Sequence, residues 1–214
     1  MVMPSLDYRT AVLANLGGQL LALKLIHIDD FDLVSEMAPC TQLQELDMYS
    51  CKFKTMPDPI QNDSSFLPNL KKLIISCCLQ LSSDRMFEMA IPSLTELHLN
   101  CAHFGLPFAS DLNWDVLHRL YPKLQVISIR VPCKSLTLSV VRDIATQLLP
   151  SLKLIQLPNK MLKTNEEKHL ADMLISELEE FEFPICLQFV DLPLKLNIIS
   201  PHVGFCPFHN SGQL

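Results

Sequence analysis

A short pattern of apolar residues recurs seven times along this chain of 214 residues. Each copy consists of a Leu, two variable residues, an apolar residue, one variable residue and a second apolar residue. The copies begin at Leu20, Leu43, Leu70, Leu94, Leu124, Leu152 and Leu178, and lie 23 to 30 residues apart. Self-similarity in this range of periods predicts a repeat architecture, in which each unit buries its apolar side against its neighbours.

Each copy predicts a short strand, because its last two apolar residues are two positions apart and therefore share one face. These pairs are Leu23 and Leu25, Leu46 and Met48, Leu73 and Ile75, Leu97 and Leu99, Ile127 and Ile129, Ile155 and Leu157, and Phe181 and Phe183. The residues that alternate with them should point to the opposite face of the sheet.

The stretches between the copies predict helices at residues 33–37, 84–90, 114–120 and 140–149. A further helix should follow Thr164, because Glu167 stands three residues later and completes a capping box. The first helix should end at Gly17 and Gly18 after residues 8–16. Residues 54–66, which contain two Pro and several turn-forming residues, predict a loop instead.

We therefore expect an α/β fold of about seven strand–helix repeats, with a parallel sheet that lines the concave side of a horseshoe. Strand–helix alternation is also compatible with a doubly wound sheet. The short strands, the fixed offsets of each copy and a total of only five Gly argue against that alternative, since nucleotide-binding α/β folds use Gly-rich turns.

The pattern resembles the leucine-rich-repeat family over about residues 11–190, and most of all its cysteine-containing subtype. Three copies carry a Cys eight residues after the first Leu, namely Cys51, Cys78 and Cys186. This subtype is found in F-box leucine-rich-repeat proteins. The resemblance implies a solenoid in which the Cys position is buried and its side chain bonds to neighbouring backbone.

Composition narrows the class of partner. The net charge of −6 argues against nucleic acid, whose phosphates require a basic surface. No apolar run approaches the length of about 18 residues that spans a membrane. The placement of several of the eight Cys at one repeat position favours reduced structural thiols, which predicts a cytoplasmic or nuclear protein.

The repeat pattern bounds the domains. We expect a leucine-rich-repeat domain over residues 1–194 and a loosely ordered tail over residues 195–214. The first copy follows the end of a helix with no capping element before it, although terminal repeats usually need one. This predicts either a fragment of a longer protein or a divergent short gene product.

Chemistry at a metal or catalytic centre has little support in the sequence. Candidate metal ligands are Cys77, Cys78, His98, Cys101, His103, Cys206 and His209. No Cys-x-x-Cys pair accompanies them, as a structural zinc site would require. No nucleophile elbow, phosphate-binding Gly loop or His-Glu-x-x-His motif occurs either, so we expect no enzyme activity and no cofactor.

A surface for protein recognition is the remaining candidate, and it should lie on the concave sheet. Its predicted members are Glu45, Asp47, Tyr49, Lys72, Ile74, Glu96, His98, Asn100, Ser128, Arg130, Gln156, Glu180 and Glu182. Tyr and Arg are enriched at interface hot spots. Exposed Ile26, Ile74, Val126 and Leu154 would add an apolar patch rimmed by charge, which is typical of protein-binding surfaces.

Near the last copy, Glu177, Glu179, Glu180 and Glu182 form an acidic run. It predicts either a site for a basic ligand or a solvated face. The lone Trp114 should pack in the core.

Two functions fit this surface. The resemblance implies the substrate-binding part of a cullin/F-box-type ubiquitin ligase, whose F-box would dock the Skp adaptor through a segment upstream of the repeats. The alternative is a leucine-rich-repeat scaffold or inhibitor without a ubiquitin role. Both predict a protein partner on the concave face, with neither nucleic acid nor membrane as a ligand.

Overall fold

The computed structural model describes residues 6–55, 66–76, 78, 90–100, 120–130, 137–145, 151–180 and 185–190. Its strands are β1 (Ala22–Ile26), β2 (Phe31–Asp32), β3 (Glu45–Tyr49), β4 (Phe53–Thr55), β5 (Lys72–Ser76), β6 (Glu96–Asn100), β7 (Val126–Ile129), β8 (Leu154–Pro158) and β9 (Cys186–Val190). Its helices are α1 (Leu6–Leu16), α2 (Leu33–Met37), α3 (Leu138–Asp143) and α4 (Asn165–Glu180), with 3-10 turns at Gly17–Gln19 and Asn159–Met161.

Seven strands form one parallel sheet in the order β1-β3-β5-β6-β7-β8-β9. The order follows the chain throughout, whereas a doubly wound sheet reverses its order at a switch point. The predicted α/β class with a parallel sheet is therefore confirmed. Strands β2 and β4 form a separate two-stranded parallel sheet, which the sequence pattern did not predict.

The core lies on one face of the seven-stranded sheet and is built from the repeated apolar positions. Apolar residues at the same repeat position are paired across neighbouring strands, so that Leu46, Leu73 and Leu97 lie side by side. The leading Leu residues of the second to sixth copies are almost fully buried. The first six copies are thus confirmed as strands with a buried face.

The seventh copy is wrong as a strand. Leu178 lies in helix α4, and the seventh strand of the sheet is β9, whose core-facing residues are Leu187 and Phe189. The helix continues through Leu178 because Ala171, Leu174 and Leu178 are spaced for one buried helical face. Phe181 and Phe183 lie outside the described residues.

The repeat-position thiols agree with the expectation at two of three sites. Cys51 Sγ lies 3.7 Å from the carbonyl oxygen of Leu25, and Cys78 Sγ lies 3.6 Å from that of Met48. Both residues are buried, and the neighbouring Cys51 together with burial raises the pKa of the Cys78 thiol. Cys186 is exposed instead, since it begins β9 on the face opposite the core.

The predicted loop at residues 54–66 is interrupted by structure at its start, because Lys54 and Thr55 belong to β4. Residues 56–65 lie outside the described part of the chain. Strand β4 pairs with β2 where the rings of Phe31 and Phe53 pack 6.0 Å apart between their centroids. Burial of these two rings explains why such short strands form a layer of their own.

Two helices begin at side-chain caps. Helix α2 has the predicted bounds, and the Asp32 side chain accepts a hydrogen bond from the backbone N–H of Ser35. Helix α3 begins two residues before the predicted start, because Thr137 caps it through the N–H of Val140. The predicted helices at residues 84–90 and 114–120 fall almost wholly outside the described residues, as does Trp114.

Gly17 is required by close packing. Helix α1 ends at Leu16 and passes into the 3-10 turn that contains Gly17 and Gly18. A Cβ at Gly17 would stand 2.9 Å from Cβ of Pro39 and 3.2 Å from Sγ of Cys40. Any larger residue here would push α1 away from the chain segment that leads into β3.

Among the helices that the structure describes, none is both long enough and apolar enough to cross a bilayer. The proposed boundary at residue 194 and the tail over residues 195–214 lie outside the described residues.

Candidate functional site

The face of the seven-stranded sheet that is turned away from the core, here called the open face, carries three rows of side chains in register. The first row contains Ala22, Glu45, Lys72, Glu96, Val126, Leu154 and Cys186. The second row contains Lys24, Asp47, Ile74, His98, Ser128, Gln156 and Gln188. The third row contains Ile26, Tyr49, Ser76, Asn100 and Arg130.

Eleven of the thirteen predicted site residues lie on this face. Arg130 follows the last residue of β7, but its N–H donates to the carbonyl of Leu99 at 2.8 Å, which keeps it level with Asn100. Glu180 is a wrong prediction, since it is the exposed last residue of helix α4. The prediction failed because Leu178 and Glu180 of the seventh copy lie in a helix rather than in a strand. Glu182 lies outside the described residues.

Ion pairs occupy the half of the open face formed by β1, β3, β5 and β6. Lys24 Nζ lies 2.5 Å from Asp47 Oδ2, and Lys72 Nζ lies 3.6 Å from Glu45 Oε1. Glu96 Oε2 lies 3.3 Å from His98 Nε2. Opposite charges on neighbouring strands attract each other, and at this exposure the two lysine pairs contribute at most about 1 kcal/mol each. The Glu96–His98 contact lies within β6 and is an ion pair only when His98 is protonated. These pairs therefore determine where charge lies on the face and contribute little to the stability of the fold.

Four polar side chains form a compact group where β6 meets β7. His98 is in register with Ser128, and Asn100 is level with Arg130, which gives a two-by-two block that we call the β6–β7 cluster. Three of its atoms are buried and have no hydrogen-bond partner within the part of the chain that the structure describes: Asn100 Oδ1, Ser128 Oγ and Arg130 Nε. Leaving such a group unpaired costs about 1–3 kcal/mol, so native proteins rarely retain one without a role.

Ser128 departs from the prediction of an exposed residue, because it is 0% exposed. Its orientation toward the open face is as predicted from the alternation in β7. Its depth is not, since this short side chain stands between the longer side chains of His98 and Gln156 on the two neighbouring strands. It remains part of the cluster as a recessed hydroxyl.

The predicted apolar patch is smaller than expected. Val126 and Leu154 are neighbours in the first row. Ile74 is separated from them in the second row, between Asp47 and His98, and Ile26 lies at the edge strand. All four side chains are half-buried. The β7–β8 part of the face thus carries a small apolar pair, Val126 and Leu154, beside the polar Gln156, which is bonded to Gln188 at 3.1 Å.

Tyr49 already has a structural contact. Its ring meets the ring of His27 edge to face, with 5.4 Å between the centroids. The chain leaves β1 and β3 through His27 and Ser50, both at positive φ, and the N–H of His27 donates to the carbonyl of Tyr49 at 2.9 Å. The contact with His27 therefore restricts the Tyr49 ring, which lies on β3 in the half of the face that carries the ion pairs.

Other predicted features contribute less. Glu177 pairs with Arg142 between α4 and α3, so this part of the acidic run joins two helices. Within the part of the chain that the structure describes, no three His, Cys, Asp or Glu side chains converge on a point that could hold a metal ion. Cys77, Cys101, His103, Cys206 and His209 lie outside that part.

Two features were missed from the sequence. Cys186 and Gln188 complete the rows of the open face on β9, and the alternation over residues 186–190 could have revealed them. A cleft of about 530 Å³ between α1 and the α2 region is lined by Thr10, Ala11, Ala14, Asp30, Asp32, Ser35, Glu36 and Lys54. Two of its three carboxylates have structural roles, since Asp32 caps α2 and Glu36 binds Arg9.

The chain was compared with models of protein families, with curated proteins and with solved structures. None of the three comparisons found a match. The open face and its β6–β7 cluster are therefore interpreted from their own geometry.

Proposed function

We propose that this chain is a non-enzymatic protein-recognition module that binds its partner on the open face. The single observation that carries the proposal is the β6–β7 cluster, where three buried polar atoms have no hydrogen-bond partner among the described residues. A bound protein segment would supply the missing hydrogen bonds. The adjacent apolar pair Val126 and Leu154 would supply area that favours burial.

We further propose that the repeats form a leucine-rich-repeat solenoid with the open face on its concave side. The strand order supports this, because each strand of the main sheet pairs with the preceding and following strands of that sheet in chain order. The buried Cys51 and Cys78, bonded to backbone carbonyls one repeat back, also fit the cysteine-containing subtype.

The test is affinity capture from a cell lysate with the tagged chain. The double variant Glu96→Ala/His98→Ala removes two half-buried side chains of the open face. We expect it to lose the proteins that the unchanged chain retains, with no change in the temperature of unfolding. Lys168→Ala, on the exposed side of α4, is the matched control and should retain them. Unchanged capture by the double variant would place the binding surface elsewhere.

The same capture separates two forms of the proposed function. Substrate recognition for a cullin/F-box-type ubiquitin ligase predicts that the Skp adaptor is recovered together with the partner. A scaffold or inhibitor predicts the partner without the adaptor. We propose a cytoplasmic or nuclear setting for either form, because Cys40, Cys51 and Cys78 are free buried thiols.

A further inference from the structure

One cation of the open face has no carboxylate beside it among the described residues. Lys24 and Lys72 lie within 4 Å of the carboxylates of Asp47 and Glu45, and the Glu96 carboxylate contacts His98. Arg130 is the cation of this face that forms no ion pair with a described residue. It lies beside the β7–β8 part of the face, whose described residues carry no negative charge. An anionic group on a ligand would complete the pattern.

The unpartnered atoms define the ligand more closely. Arg130 Nε can only donate, Ser128 Oγ can donate or accept, and Asn100 Oδ1 can only accept. A carboxylate satisfies the Arg130 donor, and guanidinium–carboxylate hydrogen bonds are among the strong ones in proteins. It cannot satisfy Asn100 Oδ1, which needs an N–H group. A ligand that presents a carboxylate and a nearby N–H satisfies both half-buried residues, whereas Ser128 is fully buried beneath the surface.

These requirements are met by an acidic residue in an extended peptide, which carries both its side-chain carboxylate and its own backbone N–H. Asn100 and Arg130 are half-buried, so part of each side chain is accessible to a ligand on the open face. A phosphate group suits the cluster less well. A phosphate carries up to two negative charges but would meet only one guanidinium, that of Arg130. His98, the other basic side chain of the cluster, already contacts the Glu96 carboxylate.

We propose that the β6–β7 cluster is a subsite for an Asp or Glu residue of the partner protein. Arg130 binds the carboxylate, and Asn100 Oδ1 accepts the backbone N–H of the same residue. This inference rests on the proposed function of the open face and names the chemistry of its ligand.

The test uses the full chain, labelled with ¹⁵N, and blocked aspartate (N-acetyl-aspartate amide) as the probe. We expect saturable shifts of the Arg130 Nε–H signal with a millimolar dissociation constant, typical of so small a ligand. Blocked asparagine, which has the same shape without the charge, should bind about tenfold more weakly, because it loses the charge-assisted bonds. Acetate, which has no N–H, should also bind more weakly than blocked aspartate.

Three variants place the site. Arg130→Gln should abolish the response, and Asn100→Asp should abolish it independently by supplying Arg130 with an internal carboxylate. Lys72→Gln removes another cation of the same face and should leave the response unchanged. The spectrum of each variant reports whether it is folded, and Asn100→Asp gives the answer if Arg130→Gln is not.

The inference is overturned if blocked aspartate leaves the Arg130 signal unmoved, if Lys72→Gln removes the response, or if blocked phosphoserine binds more tightly. When such a result accompanies loss of partner capture in Glu96→Ala/His98→Ala, the proposed function stands and the carboxylate subsite fails. When the double variant captures its partners normally, the open face fails as well.

Discussion

Arg9 and Glu36 form a buried ion pair between helices α1 and α2. Arg9 Nη2 donates to Glu36 Oε1 at 2.7 Å, Nε donates to Oε2, and each side chain is 5% exposed. Glu36 also accepts the N–H of Asp32 at 3.1 Å, and the guanidinium stands over the ring of Phe31. Each buried charge is thus compensated by the other, and removal of one side chain would leave the opposite charge buried without its counter-charge.

Removing one partner of this pair should destabilise the protein strongly. Arg9→Met leaves the Glu36 carboxylate buried without its counter-charge, which costs about 3–5 kcal/mol of unfolding free energy. Arg9→Met/Glu36→Met removes both charges and should recover most of that loss. Urea denaturation of the three proteins measures both values. A double variant no more stable than Arg9→Met would show that packing of the Arg9 side chain, rather than its charge, holds α1 in place.

Individual residues also show where sequence reasoning reaches its limit. The alternation in β7 gave the orientation of Ser128 correctly, but its depth depends on His98 and Gln156, which lie on other strands. The Arg9–Glu36 pair joins residues 27 positions apart, and neither residue carries a local pattern that names its partner. Local rules determine which way a side chain points, whereas burial and pairing are set by the assembled fold.

Among the elements, helix α4 has the most complete cap. Thr164 Oγ1 accepts the N–H of Glu167 at 3.1 Å, and Glu167 Oε2 accepts the N–H groups of Thr164 at 2.8 Å and Lys163 at 2.7 Å. This capping box was predicted from two residues alone. The length of the helix was not, because Leu178 fits both the helical spacing of α4 and the offsets of the repeat pattern.

Loss of this cap should be measurable. Thr164→Ala leaves the N–H of Glu167 without its acceptor, and we expect the protein to lose about 1 kcal/mol of stability in thermal or urea unfolding. Ser176→Ala removes a hydroxyl from the middle of the same helix, where it bonds back to the carbonyl of Asp172, and should not destabilise. Equal losses in both variants would contradict a specific role for the cap.

The cap should also weaken in acid. Hydrogen bonds, first of all from the backbone N–H of Thr164, lower the pKa of Glu167 below its ordinary 4.5. A carboxylate whose pKa is lowered by folding stabilises the folded state above its unfolded pKa, and this contribution is lost as the pH falls through the folded pKa. The difference in stability between the unchanged chain and Glu167→Ala, measured by urea unfolding at several pH values, should therefore shrink below about pH 4.5.

For the molecule as a whole, the sheet order follows from the repeat pattern. Fixed offsets in the first six copies predicted their strands, since period-2 burial within each copy leaves a single register. Strands β2 and β4 escaped prediction because two or three residues are too few to show a period. What the repeat pattern could not supply is the chemistry of the open face, which depends on residues that follow no repeat.

Each strand of the main sheet pairs only with the strands that precede and follow it in that sheet. A destabilising substitution in one strand should therefore affect mainly the neighbouring strands. Leu97→Ala opens a cavity at a fully buried position of β6 and should cost about 2–5 kcal/mol. Amide hydrogen exchange should then rise most in β5, β6 and β7, and less in β1 and β9. Leu187→Ala, at the edge strand, is the matched control and should raise exchange mainly in β8 and β9. If instead Leu97→Ala raises exchange equally in all seven strands, the sheet unfolds as one cooperative unit, which contradicts the nearest-neighbour behaviour that a solenoid predicts.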